Sequence, residues 1–320
     1  MTRPEIRPFE PQDVTAAGGL LARRHALHRR AEPLLSPRYE DPGAAAGEVQ
    51  ILLEQGATGS VAVSGGEVTG YLLGFAKSPV WGANVWVEGA GHAASDAETI
   101  RDLYAAAAAD WVDGGRDAHY AIVPASDRAL VDAWFRLGFG LQHIHGIREV
   151  PDAAPPTPRR VSVRRATRAD IPALAELDLT LPAHQGLSPV FSAGELPTLE
   201  DAARDWEESF DDEGFAYFVA DHDGRVVGSA VGCALAKSSS HTGLTRPDHA
   251  GFLGFAAVLP EARGLGAGRA LGEAVIEWCR VEGYSCVVAD WRSTNLLSSR
   301  AWPRLGFRES FFRLHRRLGY

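Results

Sequence analysis

The sequence is short of cysteine, of lysine and of long apolar runs, and each shortage argues against a class of protein. Three cysteines among 320 residues are too few for a disulfide framework, and their odd number is typical of a reducing compartment. No apolar run approaches the roughly 20 residues that a spanning helix needs, and the first residues are polar, unlike a secretory signal. We therefore expect a cytoplasmic protein that does not enter membranes.

Positive charge is also in short supply, since 32 basic residues face 41 acidic ones and only Lys77 and Lys237 are lysine. A net charge of −9 argues against a dedicated nucleic-acid binder, which needs a basic face. His143 and His145 alternate along a predicted strand, but no third ligand is evident, so we expect no metal site. The length predicts two domains, at about 100–200 residues each.

An internal repeat supports two domains. The Ile-Arg and Asp-Val pairs of residues 6–14 return as Val-Arg and Asp-Ile in residues 163–171. The segment WFRLGF at 134–139 returns as WPRLGF at 302–307. Strands and helices alternate irregularly within each copy, which predicts a mixed α/β fold with a mostly antiparallel sheet flanked by helices.

Four prolines within 151–160 separate the two copies, and proline neither donates to a sheet ladder nor continues a helix. We place a linker at 151–160, between domains at 1–150 and 161–320. The alternative is a proline-rich surface loop inside one domain.

The most informative segment is a glycine-rich loop in the second copy. A predicted strand at 252–259 leads into RGLGAGR at 263–269, and a predicted helix follows at 268–282, with Gly283 as its stop. Alternate glycines let backbone N–H groups converge on an anion at the positive end of the helix. The two arginines add charge suited to a diphosphate. The alternative is a tight turn that binds nothing.

Two common nucleotide motifs do not fit this loop. A P-loop needs a lysine after its last glycine, and none follows here. A dinucleotide fingerprint needs a third glycine, where this sequence has Arg269 or Leu271. About fifty residues remain after the loop, too few for a doubly wound fold.

The loop resembles that of the GCN5-related N-acetyltransferase (GNAT) superfamily, whose motif Q/R-x-x-G-x-G/A follows a strand ending V-x-P. Residues 258–260 and 263–268 match it, and Asn295 keeps the family's spacing to the Gly-Phe pair at 306–307. The resemblance implies that the loop binds the pyrophosphate of an acyl-CoA and that the preceding strand faces pantetheine and thioester. It assigns cofactor binding to Ala256, Ala257, Val258, Arg263, Gly264, Leu265, Gly266, Ala267, Gly268, Arg269, Ala270, Asn295 and Trp302.

The first copy lacks the loop. Its residues 96–101 align with 263–268 and contain no glycine, and the carboxylates of Asp96 and Glu98 would repel a diphosphate. Asp127 stands where the second copy has Asn295. We expect a degenerate GNAT domain that does not bind CoA, in an arrangement similar to tandem GNAT proteins such as mycothiol synthase.

The segment 289–295 resembles the L-E-V-R-x-S-N run of ribosomal-protein-type N-acetyltransferases, which implies that Asp290 is the general base. Burial on an apolar strand would raise its pKa, which suits a base; the alternative is a structural carboxylate at a strand end. The family's usual acid is a tyrosine where this chain has Trp302, so Ser298 and Ser299 are candidates on the thiol side. His241 and His249 are interpreted as surface or loop histidines.

We therefore expect an acyl-CoA-dependent N-acetyltransferase that transfers an acetyl or short acyl group to a small-molecule amine, as in secondary metabolism. The alternative is a catalytically inactive acyl-CoA-binding protein with a regulatory or scaffold role. A hydroxyl acceptor also stays open. The sequence does not fix the acceptor, the acyl length or the oligomeric state.

Overall fold

A computed structural model describes residues 4–153, 160–192, 194, 196–239 and 241–319. The chain forms two compact units. Unit 1 contains Met1–His145, Thr242–Pro247 and Glu309–Tyr320, and unit 2 contains Gly146–His241 and Asp248–Arg308. Most of the proposed linker, 154–159, lies outside the described residues.

The first half of the chain supplies most of unit 1. Its elements are β1 (Glu5–Pro8), α1 (Val14–Ala31), α2 (Pro42–Glu54), β2 (Thr58–Ser64), β3 (Glu67–Gly74), β4 (Asn84–Val87), β5 (His92–Ala94), α3 (Thr99–Asp113), β6 (Ala118–Pro124), α4 (Arg128–Arg136) and β7 (Gly140–Glu149). One sheet has the order β1-β2-β3-β5, with every neighbouring pair antiparallel. β4 runs parallel to β6.

The second half continues with β8 (Ser162–Arg165), α5 (Ile171–Gln185), α6 (Leu199–Ser209), β9 (Phe215–His222), β10 (Arg225–Ala234), β11 (Ala250–Val258), α7 (Ala267–Val281), β12 (Cys286–Arg292), α8 (Ser298–Arg304) and β13 (Arg308–Arg317). In unit 2, β8, β9, β10 and β11 are antiparallel neighbours, and β12 runs parallel to β11. The end of the chain groups with unit 1, unlike the boundary at 161–320, because β13 pairs with β6.

The predicted mixed α/β fold is confirmed. The helix expected at 268–282 is α7, and Gly283 follows it with a φ of 78°, the left-handed conformation of a helix stop. In unit 2, α5 and α6 bury Ile171, Leu174 and Trp206 against the sheet residue Val219. Among the described helices, none combines the length and apolar composition that crossing a bilayer requires.

The sequence repeat corresponds to a repeated local structure. Arg7 donates two hydrogen bonds to the Asp13 carboxylate, at 2.8 and 2.7 Å. Arg164 binds Asp170 in the same bidentate way, at 2.7 and 2.8 Å. Each aspartate lies at the start of the first long helix of its copy, so the spacing of the two pairs reflects a shared helix entry.

Candidate functional site

Two parallel strands separate at the centre of unit 2. The pairing of β11 with β12 ends at Leu253, opposite Ala289, whereas β11 continues to Val258 beside β10 alone. The separation coincides with a bulge, since Gly254 has no partner in β10. Within the described chain, the last five residues of β11 therefore have a free edge on the β12 side. Backbone N–H and C=O groups on such an edge are available to an extended ligand.

The glycine loop follows this edge and opens α7. Gly264 and Gly266 have φ values of 88° and 85°, a left-handed conformation that glycine adopts at little cost. A Cβ atom at either position would meet nothing within 4 Å, so backbone conformation requires these glycines and crowding does not. Gly266 caps α7 without any side-chain hydrogen bond. The positive end of the helix is thus left to backbone N–H groups, the usual setting for an anion.

The loop, the free edge and two helices enclose a cavity of about 410 Å³. Arg263, Arg269 and Arg304 place positive charge on its wall. Leu265 and Ala270, also assigned to the cofactor from sequence, do not line it. The lining residues are Thr180, Leu181, His184, Ala256, Ala257, Val258, Ala262, Arg263, Gly264, Gly266, Ala267, Gly268, Arg269, Asn295, Leu297, Ser298, Ala301, Trp302 and Arg304.

Asn295 organises the wall contributed by α8. Its buried side-chain oxygen accepts the backbone N–H of Leu297 at 3.1 Å and that of Ser298 at 3.4 Å. Ser298 and the buried Trp302 line the cavity, whereas Ser299 does not. Ser299 instead donates its backbone N–H to the carbonyl of Asn295. Of the two serine candidates, the structure therefore brings only Ser298 to the cavity.

Asp290 lies next to Ala289, where the two strands separate, but it is not part of the cavity wall. Its carboxylate is partly buried, and its Oδ2 lies 4.0 Å from Nε2 of His241. His241 is fully buried in an irregular segment, with Nδ1 at 3.1 Å from the Ser238 hydroxyl. The interpretation as a loop histidine holds, but this side chain is inside the protein and beside the predicted base.

Sequence reasoning missed the wall formed by α5. α5 runs from Ile171 to Gln185 and brings Thr180, Leu181 and His184 to the cavity. His184 places Nε2 at 3.3 Å from Oδ1 of Asn295. The spacing of Leu177, Leu181 and His184 was the available signal, since these positions share one helix face.

The residues that the structure describes contain no group of three or more His, Cys, Asp or Glu side chains suited to a metal.

Residues 182–307 match the sequence model of the Acetyltransferase (GNAT) family. A GCN5-related N-acetyltransferase from Sphaerobacter thermophilus is 18% identical, with a TM-score of 0.55 over 100% of this chain and 98% of that chain. A tandem GNAT protein from the clavulanic acid biosynthesis pathway, solved without AcCoA, is 16% identical, with a TM-score of 0.50 over 99% of both chains. No curated protein sequence matches. At these identities the likeness shows a shared fold along the whole chain.

Proposed function

We propose that this chain is a tandem GNAT protein in which unit 2 binds an acyl-CoA and transfers its acyl group to an amine. The observation that carries the proposal is the cavity, which joins the glycine loop to the free edge of β11. We propose acetyl-CoA or another short acyl-CoA as the donor and a small-molecule amine as the acceptor.

The cavity offers a distinct chemistry at each end. The start of α7, with Arg263 and Arg269, suits the pyrophosphate, because backbone N–H groups and guanidinium groups both favour anions. The free edge of β11 at residues 256–258 suits the pantetheine amides, which pair with a strand as another strand would. Arg269 also holds Glu273 at 2.8 Å, which fixes its position on the wall.

The reaction needs a base, a site for the oxyanion and a thiol that leaves. An alkylamine has a pKa near about 10, so it must lose a proton before its nitrogen attacks the thioester carbon. We assign the oxyanion to a main-chain N–H on the strand around Ala256, in the part of β11 that has no β12 partner. The C–S bond then breaks, and sulfur takes both bonding electrons. The product is an amide, with CoA as the second product.

We propose Asp290 as the base, because it lies where the strands separate, one residue past the last β11–β12 pair. Asp290→Asn keeps the size of the side chain and removes its basicity. We expect a fall in kcat of about 100-fold or more, with acetyl-CoA affinity unchanged. Asp223→Asn, at an exposed turn, is the matched control. An unchanged kcat in Asp290→Asn would exclude Asp290 as the base.

An acetyl-CoA titration by calorimetry tests the binding half of the proposal. We expect one site per chain in the wild type and loss of that site in Gly266→Glu. Gly224→Glu is the matched control, since Gly224 has a similar φ of 80° and equally open surroundings but lies in the β9–β10 turn. It therefore introduces the same strain and charge away from the cavity.

Three results of this titration would differ from the expected one, and each has its own interpretation. No binding to the wild type at millimolar acetyl-CoA contradicts the proposal. Loss of binding in both glycine variants means that backbone strain alone disrupts the protein. Binding without transfer to any amine in a broad screen favours an inactive acyl-CoA-binding protein instead.

A further inference from the structure

His184 is held in a defined orientation on the cavity wall. Its Nε2 lies 3.3 Å from Oδ1 of Asn295, which also accepts the backbone N–H groups of Leu297 and Ser298. These two donors fix the oxygen end of the Asn295 amide, because a flipped amide would point its NH₂ group at them. An amide oxygen only accepts, so Nε2 of His184 must carry the hydrogen of this third contact.

This arrangement leaves the other ring nitrogen to the cavity. Among the described residues, Nδ1 of His184 has no hydrogen-bond partner, while the ring lines the cavity. A histidine held through one nitrogen by a fixed acceptor presents the other for proton transfer. His184 therefore has the orientation that an acid–base group requires.

Apart from His184, the described wall has no side chain that ordinarily releases a proton near neutral pH, and the Thr180 hydroxyl donates to the Glu176 carbonyl at 3.2 Å. Arg263, Arg269 and Arg304 stay protonated under all ordinary conditions. The Ser298 hydroxyl donates to the Asn295 carbonyl at 3.3 Å, and the Trp302 indole donates a hydrogen bond without releasing a proton. Histidine is the side chain whose charge ordinarily changes between pH 5 and 8.

We propose that His184 protonates the sulfur of the departing CoA, an inference that rests on the proposed function. As the amine nitrogen bonds to the acyl carbon, the C–S bond breaks and its electron pair stays on sulfur. The imidazolium gives its Nδ1 proton to sulfur and becomes neutral, with Nε2 still bound to Asn295. The acceptor ammonium sheds two protons in all; one restores the imidazolium and the other leaves to solvent.

The experiment measures the thiol pKa of bound CoA, which needs no acceptor. Thiolate absorbance is followed against pH in the CoA complex, with the desulfo-CoA complex as the blank. The protein's own thiols are present in the blank as well, and burial raises the pKa of Cys233 to about 11 and that of Cys279 to about 12. An imidazolium beside sulfur should lower the bound thiol pKa by at least about one unit relative to free CoA.

His184→Gln is the decisive variant, because the glutamine amide still donates to Asn295 but has no acidic proton. We expect the bound thiol pKa to rise by at least about one unit above that of the wild-type complex. We also expect kcat with an accepted amine to fall about 100-fold, while KM for acetyl-CoA changes less than about threefold. The matched control is His222→Gln on β9, whose ring contacts the Arg160 carbonyl at 3.0 Å. The cavity arginines are unchanged in both variants, so the difference isolates His184.

The outcomes separate this inference from the function on which it rests. A wild type that binds no CoA overturns both. A wild type that binds CoA with the same thiol pKa as His184→Gln overturns only the role of His184. If the variant does not fold, the ring nitrogens of His184 in the wild type provide the test by NMR. Identical shifts in the CoA and desulfo-CoA complexes would overturn the proposal.

Discussion

Both units contain a pair of parallel strands, and one strand of the pair is continuous in unit 2 but interrupted in unit 1. In unit 2, β11 runs past the point of separation with a single bulge and leaves an edge free. In unit 1, the equivalent path is broken into β4, which pairs with β6, and β5, which pairs with β3. The break covers residues 88–91. A free strand edge therefore depends on whether the strand is continuous at the point where its neighbouring strand separates from it.

In unit 1, the side chains of Arg24 and His92 bind backbone groups around this break. The buried guanidinium of Arg24 donates to the carbonyls of Gly89 and His92. Nε2 of His92 lies 2.9 Å from the Ile122 carbonyl on β6, so the ring bridges the separated strands. Burial, with a contribution from Arg24, lowers the pKa of His92 to about 3, which keeps this bridge neutral. Backbone groups at the break in unit 1 are thus bound by side chains of the same unit.

The starts of the following helices extend the contrast. In unit 1, Glu98 precedes α3 in an ordinary right-handed conformation, and Arg101 pairs with it. In unit 2, left-handed Gly266 precedes α7, and Arg263 lies on the cavity wall. The start of α3 therefore carries a carboxylate where the start of α7 carries a glycine.

The largest expected effect comes from removing the Arg24 side chain, which binds the carbonyl groups at the break in unit 1. Arg24→Ala leaves the Gly89 and His92 carbonyls buried without donors, and each orphaned group costs about 1–3 kcal/mol. We expect the free energy of unfolding, measured in urea, to fall by about 3 kcal/mol in total. Arg23→Ala, one residue earlier and exposed, should change it by less than about 0.5 kcal/mol.

Arg24→Ala also tests why unit 1 is expected to have no acetyl-CoA site. We expect Arg24→Ala to bind acetyl-CoA at one site per chain, as the wild type should, because unit 1 still lacks the glycine loop. A second site in a calorimetric titration would show that the Arg24 side chain, and not the missing loop, keeps unit 1 closed.

An effect of intermediate size is the pH dependence of stability at the starts of α1 and α5, where Asp13 and Asp170 lie. The Arg164 hydrogen bonds lower the pKa of Asp170 to about 2, and the pKa of Asp13 is also lowered, chiefly by Arg7. Asp170 additionally accepts the Thr167 hydroxyl at 3.0 Å. Since the folded-state pKa lies below the ordinary value of 3.8, its contribution is present above about pH 4 and disappears as pH falls toward 2.

The corresponding variants test that sign. Asp170→Asn should lower the free energy of unfolding by about 1–2 kcal/mol at neutral pH, a figure reduced because Arg164 is partly exposed to solvent. The loss should shrink as pH falls below 4, and Asp13→Asn should show a smaller loss with the same trend. A difference between wild type and Asp170→Asn that stays constant with pH would contradict the assignment.

Local features of this fold were predictable from sequence, and non-local ones were not. The glycine loop and the spacing of Arg7 and Asp13 are encoded within a few residues, since φ preference and helix entry act at short range. His184 was missed because Pro182 argues against a continuing helix, yet α5 runs through it. The burial of Arg24 depends on carbonyls more than sixty residues away, which no local pattern contains.

The pairing of β13 was beyond prediction for the same reason. The apolar residues of β13 are Phe311, Phe312 and Leu314, and this pattern does not indicate which strand β13 joins. Its placement beside β6 came only from the structure.

The smallest expected effect compares two turns that the repeat places in register. Asp127 accepts the backbone N–H of Leu130 at the start of α4, and Asn295 accepts those of Leu297 and Ser298 before α8. Replacing either by alanine should lower the free energy of unfolding by about 1 kcal/mol, the usual contribution of such a cap.

Only one of these variants should affect ligand binding. Asn295 lines the cavity and holds His184, so Asn295→Ala should weaken acetyl-CoA binding by about tenfold, equivalent to about 1.4 kcal/mol. Asp127→Ala should leave the affinity unchanged, because its cap lies in unit 1, where we expect no CoA site. Calorimetry with urea unfolding on both variants separates the two roles. An equal loss of affinity in the two variants would mean that the two turns do not differ in their effect on binding. It would contradict the proposal that unit 2 alone binds acetyl-CoA.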